Sequence, residues 1–128
     1  LDYPHVRVRI EDVDPESARE RSAQQKKDGG TDILTKPSPH RITISRNGRT
    51  QTRAFQLLNK GDGSLHVSAT CNGKGISINN GEVEIPTGQM FPVIITLKPN
   101  SEEWVNVLFQ WLERTEQCKV ELKFHLRG

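Results

Sequence analysis

Trp104-Val105-Asn106-Val107-Leu108-Phe109-Gln110-Trp111-Leu112 and Lys119-Val120-Glu121-Leu122-Lys123-Phe124-His125-Leu126 are the two stretches that decide the fold. In the second, apolar and polar residues alternate without a break. Val120, Leu122, Phe124 and Leu126 point one way; Lys119, Glu121, Lys123 and His125 point the other. In the first, Val105, Val107, Phe109 and Trp111 share one face, and Trp104, Asn106, Leu108, Gln110 and Leu112 share the other. A period of two belongs to half-buried strands. With Glu113-Arg114-Thr115-Glu116-Gln117 between them, the two runs read as an antiparallel hairpin with one core face and one charged face.

Working back from the hairpin, the same pattern recurs in short pieces. Arg41 to Ser45 reads as a strand with Ile42 and Ile44 inward, followed by the turn signal Asn47-Gly48. Arg53 to Asn59 carries Phe55 and Leu57 on one face and ends at Lys60-Gly61-Asp62-Gly63. Leu65, Val67, Ala69 and Cys71 alternate with His66, Ser68 and Thr70 before Asn72-Gly73-Lys74-Gly75. Ile76 and Ile78, then Val83 and Ile85, then Phe91, Val93, Ile95 and Leu97 complete the series. Seven or eight short strands with turn signals every 8–12 residues predict an all-β, immunoglobulin-like β-sandwich.

Before Pro37 the composition changes. Residues 1–36 hold seven Lys/Arg, eight Asp/Glu and only ten apolar side chains, so this part is poor in core material. Val6, Val8 and Ile10 alternate with His5, Arg7 and Arg9, which predicts a strand over 1–10 with a basic outer face. Such a strand must pair with the rest of the chain or with a neighbour. Glu11 to Lys36 shows almost no periodicity and reads as a charged flexible insertion, or as a marginal helix starting at Asp14-Pro15. The expected division is therefore an N-terminal strand (1–10), an insertion (11–36) and the sandwich (37–128). The chain opens at Leu1 without a methionine and reads as a piece of a longer protein.

Across all 128 residues the hydrophobic share is 33%, the charged share 27% and the net charge +2. That charge is too small to argue for nucleic acid. No apolar run reaches the ~18 residues of a membrane span. Cys71 and Cys118 lack metal or redox spacing and read as two partly buried thiols. The absence of an Asn-x-Ser/Thr acceptor favours an intracellular chain.

The run Arg53-Ala54-Phe55-Gln56-Leu57-Leu58-Asn59-Lys60-Gly61-Asp62-Gly63, with Leu65-His66-Val67 after it, resembles the strand–Asn–turn–strand step of major sperm protein (MSP) and ASH (PapD-like) domains. Ile76 to Gly88, then Val93-Ile94-Ile95-Thr96-Leu97-Lys98-Pro99, looks like the continuation of that pattern. The similarity covers about 37–128. Within the family, the chain looks most like a domain of a centrosomal scaffold of the spindle-defective type. The resemblance implies a cytoplasmic interaction module at the centrosome or cytoskeleton. It could also imply a chaperone-like module, which needs a strand donor. Membrane-contact members bind acidic, phenylalanine-containing motifs through lysines on the strand matching Leu65 to Cys71. His66, Ser68 and Thr70 stand there instead, which puts that activity in doubt.

Catalytic signatures are missing. His5, His40, His66 and His125 have no metal-ligand spacing, no nucleophile elbow occurs, and Asp62 is a lone turn carboxylate. Gly61-Asp62-Gly63 and Gly73-Lys74-Gly75 are too short to cradle phosphate ahead of a helix. No enzyme and no cofactor are expected. Arg41, Arg46, Arg49 and Arg53 lie on and around one predicted hairpin, and Arg7 and Arg9 add to them. They suit an acidic or phosphorylated peptide or an anionic membrane surface, or else form a solvated face that discourages edge aggregation. No aromatic residue interleaves with them, so nucleic acid is not an expected partner; a membrane is disfavoured as well. Trp104, Leu108 and Leu112 form an apolar stripe opposite the core face. It is a contact site if exposed, a seat for the N-terminal strand if covered, or a sign that a bulge exchanges the two faces. The expected function is a non-enzymatic interaction module of a larger scaffold. It would bind scaffold proteins or its own copies through sheet edges. With Trp111 as the central core aromatic, Trp111→Ala should cost about 3–5 kcal/mol in chemical denaturation; a change below about 1 kcal/mol would place Trp111 outside the core.

Overall fold

The computed structural model describes residues 8–13, 31–32, 39–79, 81–113 and 115–128. Among them there are ten strands and no helix. They are β1 (Val8–Val13), β2 (Thr31–Asp32), β3 (His40–Ser45), β4 (Gln51–Asn59), β5 (Leu65–Asn72), β6 (Ile76–Ile78), β7 (Glu82–Ile85), β8 (Met90–Leu97), β9 (Trp104–Glu113) and β10 (Glu116–Arg127). They form two five-stranded sheets, ordered β2-β1-β4-β8-β6 and β3-β10-β9-β5-β7. Among the described residues, neighbouring strands pair antiparallel except β3 with β10, which pair parallel. This is the all-β sandwich that the alternation implies: β3 to β10 are the eight strands expected within 37–128, and β1 and β2 join the same first sheet.

The inward side chains meet in one core. β9 contributes Val105, Val107, Phe109 and Trp111; β10 contributes Val120, Leu122, Phe124 and Leu126. The facing sheet contributes Val8, Ile10, Phe55, Leu57, Val93, Ile95 and Leu97. Phe55 and Phe109 meet edge to face across the two sheets, with ring centroids 6.3 Å apart. Aromatic pairs favour that arrangement because the positive ring edge meets the negative face. The bulge that would exchange the faces of β9 does not occur: Phe109 is fully buried and Leu112 is exposed.

Two strand expectations need correction. β1 runs on to Val13, past the expected end at residue 10, and pairs with β4 from Val8↔Asn59 to Val13↔Ala54. Glu11 and Asp12 interrupt the apolar rhythm, but each has a cationic partner. Arg9 lies 2.8 Å from Glu11, and Arg53 lies 3.0 Å from Asp12. Val13 packs with Ala54 and Ile94 on the outer side of the sheet. The span expected as insertion (11–36) therefore contains strand residues at Glu11 to Val13 and at Thr31–Asp32. The helix start at Asp14-Pro15 and the residues Val6 and Arg7 lie outside the described residues. The second correction concerns the Arg hairpin. β3 sits beside β10 in one sheet and β4 beside β1 and β8 in the other, so the chain crosses between sheets at Asn47-Gly48 instead of turning back.

One buried polar residue ties three segments together. Asn59, at the end of β4, is fully buried. Its Nδ2 donates to the carbonyls of Gly63 and Ile85, each at 2.8 Å, and its Oδ1 accepts from the Gly61 amide at 3.0 Å. Its main-chain N–H donates to the Gln89 carbonyl, and its carbonyl accepts from the Gly88 amide. The side chain thus pins the β4–β5 turn and the end of β7, and the main chain of the same residue holds the turn before β8. Replacing it strands buried main-chain groups. Asn59→Ala should lose about 1–3 kcal/mol of unfolding free energy in urea titration, because the buried bond to the Ile85 carbonyl and the part-buried bond from the Gly61 amide are lost; a loss under about 0.5 kcal/mol would contradict this role.

Candidate functional site

Period-two alternation leaves the outer side of the second sheet to be filled by polar residues, and most positions comply. Arg41 lies beside Lys123, Thr43 beside His125, and Lys119 beside Gln110. β9 is the exception. Trp104 is 48% exposed and Leu112 is 53% exposed, and Leu108 between them is half-buried. β9 is also the central strand of its sheet. An apolar stripe therefore runs along the middle of this face.

Trp104 is held at one end of the stripe. Its ring stacks on His125 with centroids 4.3 Å apart and planes 15° apart. His125 Nε2 in turn lies 2.9 Å from Glu103 Oε2. The connection just before Trp104 is clamped from several directions. Arg46 donates through one guanidinium nitrogen to the carbonyls of Pro99 (2.9 Å) and Ser101 (2.8 Å). Lys98 and Glu102 donate their amides to the carbonyls of Gly75 and Lys74, and the Lys74 amide donates to the Glu102 carboxylate. The two glycines here are packing devices. A Cβ on Gly75 would fall 2.5 Å from Ser101 Cα, and one on Gly73 would fall 2.5 Å from Val105 Cγ1; both residues have positive φ. The clamp leaves a shallow groove of about 420 Å³ beside Trp104, bordered by Arg41, Asn72, Asn106 and Lys123. Asn106 is fixed by donating to Glu121 at 2.8 Å.

The other end of the face differs in charge. His66 Nδ1 lies 3.3 Å from Glu84 and its Nε2 lies 3.7 Å from Glu82. Leu112 and Gln117 complete a second depression of about 620 Å³ there. His66, Ser68 and Thr70 do face outward on β5, as the alternation predicts.

The arginines expected to act together are dispersed. Arg41 is on the second sheet, in the groove beside Trp104. Arg46 is engaged in the loop clamp, and the Arg49 amide closes a small turn onto Asn47. Arg53 belongs to the first sheet and pairs with Asp12. Arg9 pairs with Glu11, and Arg7 lies outside the described residues. Lys123, His125 and Asn106 were not expected to share a site with Arg41. Parallel pairing of β3 with β10 brings them together, and that contact joins residues more than 80 apart in sequence. Both cysteines are thiols, Cys71 exposed and Cys118 buried.

No family model matches the chain, and no curated protein matches it. Solved structures do. WR4, an MSP family member from C. elegans, is 10% identical, with 66% of this chain and 91% of that one covered and a TM-score of 0.55. SSP-19, an MSP-domain protein like family member of Caenorhabditis elegans, is 9% identical, with 67% and 94% covered and a TM-score of 0.56. The ASH/PapD-like domain 7 of human CEP192 is 12% identical, with 82% and 99% covered and a TM-score of 0.51. The chain has the MSP/ASH, PapD-like immunoglobulin fold. Within that fold Arg46 is a structural residue. Arg46→Ala should lower stability by about 1–2 kcal/mol, whereas Arg49→Ala should stay within about 0.5 kcal/mol in thermal unfolding; equal effects would refute the clamp.

Proposed function

We propose that this chain is a non-enzymatic protein–protein interaction module of a larger scaffold, and that it binds through the outer face of its second sheet. One observation carries the reading. The exposed large apolar side chains among the described residues, Trp104 and Leu112, both lie on the outer side of the central strand β9. Exposed apolar surface rimmed by polar groups marks contact sites, because covering it releases water at little cost in fixed polar groups. Trp104 is also pre-oriented by its stack on His125, which lowers the entropy lost on binding. Strand addition at the sheet edges is less favoured. β3 follows Pro39 and carries Arg41, and β7 has only four residues.

The motif resemblance to centrosomal scaffolds and the structural likeness to an ASH/PapD-like domain support a cytoplasmic scaffold at the centrosome or cytoskeleton. A second reading rests on the groove itself. Arg41 and Lys123 flank Trp104, an arrangement suited to an acidic or phosphorylated segment. It replaces the basic hairpin, whose members the fold separates.

A photo-crosslinking residue at Leu112 should capture a protein in cells, while the same residue at Ser77, exposed on the outer side of the first sheet, should not. Arg41→Glu with Lys123→Glu should abolish capture if an acidic segment is the partner. Equal capture at both positions, or capture at Ser77 alone, would contradict the assignment of the face.

A further inference from the structure

We propose that the outer face of the second sheet pairs with the same face of a second copy of this chain, about a two-fold axis lying along β9. The inference rests on the face proposed above and names its partner. Two features of the face make it self-complementary. The first is the position of the apolar stripe. Trp104, Leu108 and Leu112 lie on the third of five strands, so a two-fold axis along β9 lays each stripe on its own copy. Sheets packed this way keep their strands nearly aligned, as face-to-face sheets commonly do.

The second feature is the placement of charge on either side of β9. The register places Glu82, Ser68, Gln110 and Lys119 in one row across β7, β5, β9 and β10. The acidic side holds Glu82 and Glu84, exposed at 70% and 62%. The opposite side holds Lys119, Lys123 and Arg41, all on β10 and β3. Rotation about β9 brings Lys119 of each copy over Ser68 of the other, one strand spacing (about 4.8 Å) from Glu82. The contact then occurs twice, once on each side of the axis. Glu121, which shares β10 with the lysines, falls over Thr70 and meets no acidic residue in its row. An axis across the strands instead would set Lys119 against Lys123, two like charges, so the complementarity selects the axis along β9.

Sedimentation equilibrium on the chain tests this directly. The wild type should show a reversible monomer–dimer equilibrium that weakens as salt rises. Leu112→Asp should leave a monomer. Lys119→Glu and Glu82→Lys should each weaken dimerisation by about tenfold or more. Mixing those two variants should restore it, because both contacts of the mixed dimer then pair opposite charges. Circular dichroism of each variant should match the wild type, since the substituted side chains point into solvent in the monomer. A wild type that stays monomeric at the highest attainable concentration would overturn the proposal. So would a dimer indifferent to Leu112→Asp, or two charge variants that do not rescue each other. A monomer whose Leu112 position still captures a different protein in cells would overturn the dimer while leaving the interaction face in place.

Discussion

β9 must serve two surfaces at once, and the rest of the molecule is arranged around that demand. It is the middle strand of the second sheet, paired to β10 from Trp104↔His125 to Glu113↔Glu116 and to β5 from Ser68↔Gln110 to Asn72↔Asn106. Its inner side chains, Phe109 and Trp111 above all, fill the space against Phe55 and Leu57 of the facing sheet. Close packing of that interior fixes the register, because a slip of one residue would send every buried side chain outward. The same fixed register sets Trp104, Leu108 and Leu112 in a line on the opposite face. The apolar stripe is therefore as well ordered as the core behind it.

Order at the rim of the sandwich comes from polar groups. Asn59 supplies, with one buried side-chain amide, hydrogen-bond partners to the β4–β5 turn and to the end of β7. Arg46 and the Gly73 to Gly75 turn do the same for the connection before β9. Both devices act at strand ends, where sheet pairing stops and carbonyls and amides need other partners. The second one sets the position from which Trp104 projects and stacks on His125. Rigid support beneath an exposed aromatic side chain reduces the entropy that association must overcome.

Local alternation made most of the sandwich legible from the residues alone. The hairpin of β9 and β10, the inward faces of β4, β5 and β8, and the outward stripe on β9 all follow from the period of two. What was hidden depends on contacts distant in sequence. Arg41 to Arg53 look like one basic hairpin because Asn47-Gly48 is a strong turn signal. Whether a turn folds back or crosses to another sheet depends on which strand each flank pairs with, and here those are β10 and β1/β8. The extension of β1 through Glu11 and Asp12 was obscured for a related reason. A carboxylate breaks the apolar rhythm, yet Arg53, some forty residues away, balances Asp12. The separation of Glu82 and Glu84 from Lys119, Lys123 and Arg41 on one face likewise emerges only from sheet order.

The sandwich, the stiff aromatic rim and the divided charge converge on one surface. On the proposed reading, a weak, reciprocal contact of this kind would add avidity without a large interface wherever several copies are held together. Backbone amide NMR spectra recorded across a wide range of protein concentration test the central claim most directly. Concentration-dependent shifts should cluster on Trp104 to Leu112 and on the outward residues of β5 and β10, with the Trp104 indole among the most affected. Shifts confined to the first sheet, or spectra that do not change with concentration or on adding a cellular partner, would contradict it.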